Sequence, residues 1–139
     1  MKWIFKIILT IHKGLYRLSG GRIGGKMQGA EVLLLSTLGR KSGKKRVTPL
    51  MFIRHDKSFV VVASNGGQPS HPGWYYNIQD KSPIDVQVMG KTYRVSVNEA
   101  KGDQRTTLYE QFINVSEQYA RYAEKTDRDI PVVILTPNE

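Results

Sequence analysis

Two groups of side chains in this 139-residue sequence have types and spacing suited to chemistry. The first is Gly39-Arg40-Lys41-Ser42-Gly43-Lys44-Lys45-Arg46, five cations inside a glycine-bounded turn. Such a turn exposes backbone N–H groups, and its basic side chains add charge-assisted hydrogen bonds to a phosphate or carboxylate. It lacks the Gly-x-x-x-x-Gly-Lys-Ser/Thr spacing of a nucleotide P-loop. On composition alone it reads equally as a solvated hairpin tip. The second group is Tyr119 and Tyr122, three apart and therefore on one face of a helix. A phenol there can hydrogen-bond a substrate oxygen as negative charge develops, or supply a proton. Ser64, followed by Asn65-Gly66-Gly67, adds a hydroxyl in a small-residue loop whose backbone other groups can approach closely.

Several chemistries are excluded. There is no cysteine, so disulfides, thiolate metal sites and a cysteine nucleophile are ruled out. His12, His55 and His71 are too few and too scattered for a metal centre. His71 precedes Pro72 and reads as a helix cap, and Asp127-Arg128 as an ion pair or turn cap. The net charge of +9 is concentrated. Residues 1–46 hold eleven Lys/Arg against Glu31 alone, whereas residues 47–139 hold ten against eleven acids. A local cationic patch of this kind attracts anionic ligands or anionic surfaces. No RNA-recognition or helix-turn-helix pattern accompanies it, so nucleic acid is not an expected partner.

The elements that must position these groups follow from the apolar pattern. Trp3, Ile4, Ile7, Ile8, Ile11, Leu15 and Leu18 recur at helical steps, with Lys2, Lys6, Lys13 and Arg17 beside them. Residues 1–19 thus read as a basic amphipathic helix, too short in its apolar run to span a membrane. It either lies at an anionic membrane surface through residues 3–18 or packs on its own domain. Residues 20–30 hold five glycines (Gly20, Gly21, Gly24, Gly25 and Gly29) and read as a linker. Residues 31–139 form one domain, with strands expected at 32–37, 47–54, 58–64, 84–89, 92–98 and 131–135. Hairpins turn at His55-Asp56-Lys57 and Gly90-Lys91. Helices are expected at 72–79 and, unbroken, at 102–124. Pro49 inside a strand marks an edge or a bulge. About six antiparallel strands with late helices make an α+β split β-barrel with flanking helices.

Four segments in this order resemble the deazaflavin-dependent nitroreductase family of the flavin/deazaflavin oxidoreductases. They are Leu33–Gly43, Arg46-Val47-Thr48-Pro49-Leu50, Val61–Gly67 continuing to His71-Pro72-Gly73-Trp74-Tyr75-Tyr76-Asn77, and Tyr119–Tyr122 followed by Thr126–Pro131. The resemblance spans about residues 20–137. It implies a split barrel that binds reduced coenzyme F-420, an 8-hydroxy-5-deazaflavin with an anionic phosphodiester–oligoglutamate tail. Arg40, Lys41 and Arg46 then match phosphate-binding positions. Thr48, Pro49 and Met51 border the ring, as do Ala63, Ser64, Asn65 and Gly66, while Trp74 and Asn77 wall the pocket. Tyr119, Tyr122 and Ser64 are the expected catalytic side chains. Two positions depart from the family pattern: Asn65 replaces a basic residue, and Ser116 stands where a further tyrosine is common.

The implied activity is hydride transfer from the reduced cofactor to a small hydrophobic acceptor: a quinone, an enone or a nitro-compound. FMN in place of F-420, or a fatty-acid or lipid ligand in the same barrel, are the alternatives. The expected location is the cytoplasm, peripheral at the inner face of the cell membrane.

Overall fold

The computed structural model describes residues 26–27, 30–79 and 83–138. The expected helix at 3–18 and most of the expected linker lie outside the described residues. Seven antiparallel strands are described: β1 (Lys26–Met27), β2 (Ala30–Leu38), β3 (Lys45–His55), β4 (Ser58–Val62), β5 (Asp85–Val88), β6 (Lys91–Glu99) and β7 (Val132–Pro137). The helices are α1 (Gly73–Asn77), α2 (Gly102–Val115) and α3 (Gln118–Lys125). The strands run in the order β1-β2-β3-β4-β7-β6-β5, and a β2–β5 pairing closes β2 to β7 into a six-stranded barrel. Within the expected linker, β1 pairs with the start of β2, with Lys26 opposite Glu31.

β2 is the spine of the barrel. Val32, Leu33, Leu34 and Leu35 are each at most 2% exposed, so both faces of the strand are buried. This is why its sequence reads as a continuous apolar run rather than an alternating one. β3 pairs with β2 from Lys45 to Phe52, but with β4 only from Ile53 to His55. Along Lys45–Phe52 the barrel wall is therefore split. Pro49 stands in this one-sided stretch opposite Leu34, where a residue without an N–H is tolerated, as its place in the sequence suggested.

Strand alternation divides the apolar residues into two cores. Phe52, Phe59, Val61, Ala63, Val133 and Leu135 fill the barrel with Leu33 and Leu35. Val60, Val62 and Val132 face outward onto Leu108, Tyr109 and Phe112 of α2. Arg105 clamps α2 to the chain before β7 by donating to the Ile130 carbonyl at 3.1 and 2.7 Å.

Local details correct the sequence reading in three places. The helix expected to run unbroken over 102–124 breaks at Ser116, which is extended (φ −149°, ψ 119°). Asn114, Val115 and Ser116 are weak helix formers. The break folds Tyr119 back so that its carbonyl accepts the Tyr109 hydroxyl at 2.6 Å. The β5–β6 turn is Met89-Gly90, one residue earlier than expected, with φ of 50° and 87°. A two-residue hairpin loop of this twist needs positive φ twice, and glycine serves the second position. Pro72 is the residue before α1 (φ −68°, ψ 155°) rather than its first helical residue, and no side chain caps that helix. His71 is therefore not a cap.

Candidate functional site

The basic turn joins β2 to β3 at the split edge. Its backbone is tied by Gly39 N–H to the Lys44 carbonyl and Gly43 N–H to the Gly39 carbonyl, both 2.8 Å. Gly43 has φ +69°, and a Cβ on Gly39 would lie 2.9 Å from Ser42 Oγ. Ser42 Oγ accepts the Lys44 N–H at 3.2 Å. These contacts spend the turn's polar groups on its own shape and leave Lys41, Lys44, Lys45 and Arg46 exposed.

Asn77 anchors the turn from α1. Its Oδ1 accepts the Arg40 backbone N–H at 3.1 Å, and its Nδ2 donates to Thr37 Oγ1 at 3.3 Å. Asn77 and Thr37 are the buried polar side chains of the described residues, 8% and 2% exposed. Buried amides are stable when hydrogen-bonded, which explains an asparagine at the end of a short helix. The Arg40 guanidinium lies 4.7 Å over the Tyr76 ring, a cation–π contact that holds it beside α1.

Between this turn and the start of α1 lies a cleft of about 530 Å³. Arg40, Lys41, Arg46, Thr48, Asn65, Trp74 and Asn77 line it, seven of the side chains expected from the sequence. Gly39, Ser42, His71, Pro72 and Gly73 complete the lining. Three cations and no carboxylate are present, so the field in the cleft is uncompensated and favours an anion. Trp74 supplies an apolar wall; it is only 6% exposed and also belongs to the barrel core. Asn65 is held in the left-handed region (φ 48°) while its Nδ2 donates to the Ser70 carbonyl at 3.0 Å.

Tyr119, Tyr122 and Met51 form a second group, on the helix-facing side of β3, packed against Phe112 and Tyr109. Tyr119 meets Tyr122 at 5.4 Å and Phe112 at 5.1 Å between ring centroids. Burial pushes the Tyr119 phenol well above its ordinary value, with Tyr122 and Tyr109 adding to the effect. The group is a neutral donor throughout the physiological range. The Tyr122 hydroxyl donates to Gln118 Oε1 at 3.1 Å. Strand alternation sets Thr48 toward the cleft and Met51 toward the tyrosines. The Asn65–Gly67 turn sits between the two groups. Asn65 lines the cleft, and Gly67 lies so close to α3 that a Cβ would be 3.1 Å from Tyr122 Cα and O.

The other expected residues sit as follows. Pro49 is on the open stretch of β3, and Gly66 is exposed at the tip of the turn. Ala63 is fully buried; its N–H donates to the Pro131 carbonyl and its carbonyl accepts from Arg128. The Ser64 carbonyl likewise accepts from Arg128, at 2.8 Å. Two features escaped sequence reasoning. Thr37 completes the Asn77 anchor from 40 residues away. His71 accepts from Arg128 across 57 residues. Both partners were visible as residues, and nothing local in the chain signals such distant pairing. Among the described residues no group of three or more His, Cys, Asp or Glu could hold a metal ion.

Comparison with known proteins identifies the family. The family model described as F420H(2)-dependent quinone reductase matches residues 8–137. An F420H(2)-dependent quinone reductase of Mycobacterium tuberculosis is 35% identical over 133 residues, covering 93% of this chain and 89% of the relative. A solved F420-H2 dependent reductase (FDR-A) superposes with a TM-score of 0.67 at 38% identity, covering 75% of this chain and 92% of that one. HutZ, the heme storage protein of Vibrio cholerae, shares the fold alone, with a TM-score of 0.59 at 12% identity over 81% of this chain and 84% of that one. The chain belongs to the F420H(2)-dependent quinone reductase family.

Proposed function

We propose that this chain is a reductase that binds reduced coenzyme F-420 in the cationic cleft and delivers its hydride to a quinone. The observation that carries this reading is the cleft itself: Arg40, Lys41 and Arg46 face Trp74 and Asn65 with no carboxylate between them. That donor set fits a ligand with an anionic tail and a flat ring. The family description and the curated relatives name F420H(2) as the reductant and a quinone as the acceptor. They lend no support to FMN, and they do not single out nitro or enone acceptors. The placement of the individual side chains is part of the proposal.

When bound, the reduced deazaflavin supplies two electrons as hydride, and the protein supplies binding, orientation and electrostatics. Lys41 and Arg46 hold the anionic tail from the exposed side of the turn. Asn77 and the Tyr76-stacked Arg40 keep that turn in register with α1. Thr48 and Asn65 offer polar contacts on either side of the split edge. Tyr119, a half-buried phenol whose surroundings disfavour the phenolate, would donate a hydrogen bond to an acceptor oxygen on which negative charge grows. Pro49 and Met51 give the acceptor an apolar approach along the open edge of β3. The basic amphipathic pattern of residues 3–18 supports association with an anionic membrane surface at the inner face of the cell membrane. Among the described residues no helix is long and apolar enough to cross a membrane.

Anaerobic mixing of the protein with reduced F-420 and a naphthoquinone tests this reading. Cofactor oxidation and quinol formation are expected one for one. Absence of turnover with any quinone, or equal turnover with reduced FMN, overturns it.

A further inference from the structure

Arg128, expected from the sequence as part of an ion pair or turn cap, reaches four residues distant in the chain. Its Nε donates to the Gln68 carbonyl at 3.0 Å. Its Nη2 donates to the carbonyls of Ala63 at 3.2 Å and Ser64 at 2.8 Å. Its Nη1 meets His71 Nδ1 at 2.9 Å. One guanidinium thus joins the end of β4, the Asn65–Gly67 turn and the residue that leads into α1. Among the described residues no carboxylate lies within ion-pair distance of it, so the expected Asp127–Arg128 pair is not formed. The fork is used entirely for positioning.

We propose that Arg128 is the positioning residue of the cleft, and that it sets His71 there as a neutral ring whose Nε2 carries the proton donated to an oxygen of the bound ligand. The chemistry of the pair fixes the tautomer. A guanidinium has five N–H donors and no acceptor, so Nδ1 must offer its lone pair. The neutral ring then carries its hydrogen on Nε2. A second proton on Nδ1 would set two donors face to face.

The surroundings of His71 act in the same direction or are already committed. Tyr75 and Tyr76 of α1 pack on the ring at 4.6 and 5.9 Å. Behind it, a cavity of about 360 Å³ is lined by Glu99, Lys101, Arg105 and Asp129 as well as Tyr75. Glu99, the carboxylate that would favour a charged ring, is taken up by the Lys101 ammonium and the Tyr75 hydroxyl. On the cleft side stand the three cations Arg40, Lys41 and Arg46. Burial and then Arg128 hold the imidazole below its ordinary value of 6.5. His71 lines both the cavity and the cleft.

The ligand half of this proposal rests on the F-420 reading; the tautomer half does not. Nitrogen-15 NMR of the histidine rings, assigned by loss of one signal in His71→Phe, reads the tautomer without any cofactor. The wild type is expected to show His71 neutral with hydrogen on Nε2, and Arg128→Gln, whose neutral amide can either donate to Nδ1 or accept from it, to mix the tautomers and move the titration midpoint upward. A hydrogen on Nδ1 in the wild type, or no change in Arg128→Gln, overturns the role of Arg128. For the ligand half, F-420 titration compares two variants that keep Arg128 and the turn. His71→Phe should weaken binding about tenfold, the loss of one hydrogen bond to a charged or polarised oxygen. His71→Gln, which keeps an amide donor, should stay within about threefold of the wild type. Equal affinities of the two variants overturn the donor role. A wild-type protein that binds no F-420 overturns the ligand half together with the functional reading, while the NMR result still decides Arg128.

Discussion

Replacing Asn77 by alanine should damage both the stability of the barrel and the shape of its cleft. The side chain is 8% exposed and holds two groups, the part-buried Arg40 N–H and the buried Thr37 hydroxyl. Each lost hydrogen bond costs about 1 kcal/mol, and leaving buried partners unsatisfied brings the total to about 2–3 kcal/mol. For a domain of this size that corresponds to a fall in Tm of about 8–12 °C. The basic turn should also lose its register with α1, so F-420 affinity falls in the same variant. Asn77→Asp is the discriminating partner: its carboxylate still accepts from Arg40 N–H and can accept from the Thr37 hydroxyl. It should lose less than half as much stability. Thermal unfolding of the three proteins, with reversibility checked, measures this. Equal losses in Asn77→Ala and Asn77→Asp, or a fall below about 2 °C in Asn77→Ala, would refute the anchor.

Other expectations follow from single observations. Gly67→Ala meets Tyr122 backbone at 3.1 Å and a φ of +77°, whereas Gly66→Ala at φ +64° meets open space. Urea unfolding should therefore show a loss of about 2–3 kcal/mol for Gly67→Ala and about 1 kcal/mol for Gly66→Ala; equal losses would deny the close approach of α3. Tyr119→Phe keeps the ring stack and removes the phenol, so quinone reduction should drop about 10²-fold with F-420 affinity unchanged; undiminished turnover removes Tyr119 from the chemistry. Burial would raise the Glu99 carboxyl, but the bonds from Lys101 and Tyr75 outweigh it and hold the group below its ordinary 4.5. Its stabilising contribution is thus present above pH 4.5 and lost as the pH falls below that value, through the folded-state midpoint. Glu99→Gln should flatten that acid limb of the stability curve, and an unchanged limb counts against the network.

The strands were legible because their apolar runs and turn residues are local signals. Val61-Val62 and Val132-Val133 lie in short β-branched runs bounded by turn residues, and Pro49 pointed to an edge or a bulge, of which the structure shows the open edge. The break at Ser116 was not legible, because the 3.6-residue pattern of Leu108, Phe112 and Tyr119 continues across it. Asn114, Val115 and Ser116 are only weak helix formers, and the Tyr109–Tyr119 hydrogen bond that accompanies the break is a tertiary contact. The cleft was half legible. Lys41 and Arg46 declare themselves by charge, and their glycines by type. Thr37, His71 and Arg128 acquire roles only when β2, α1 and the segment before β7 meet, so each looks ordinary in its own stretch of chain. Tyr119 and Tyr122, expected as catalytic side chains, pack beside Met51 on the helix-facing side of β3, with the Asn65–Gly67 turn between them and the cleft.

The measurement that bears most directly on this account is a fluorescence titration with coenzyme F-420, wild type against Lys41→Ala, at low and high salt. Saturable binding by the wild type is expected, weakened at least tenfold by the substitution and by salt, since exposed cations grip an anionic tail through a screened field. No binding by the wild type, or binding that neither Lys41→Ala nor salt alters, would contradict it.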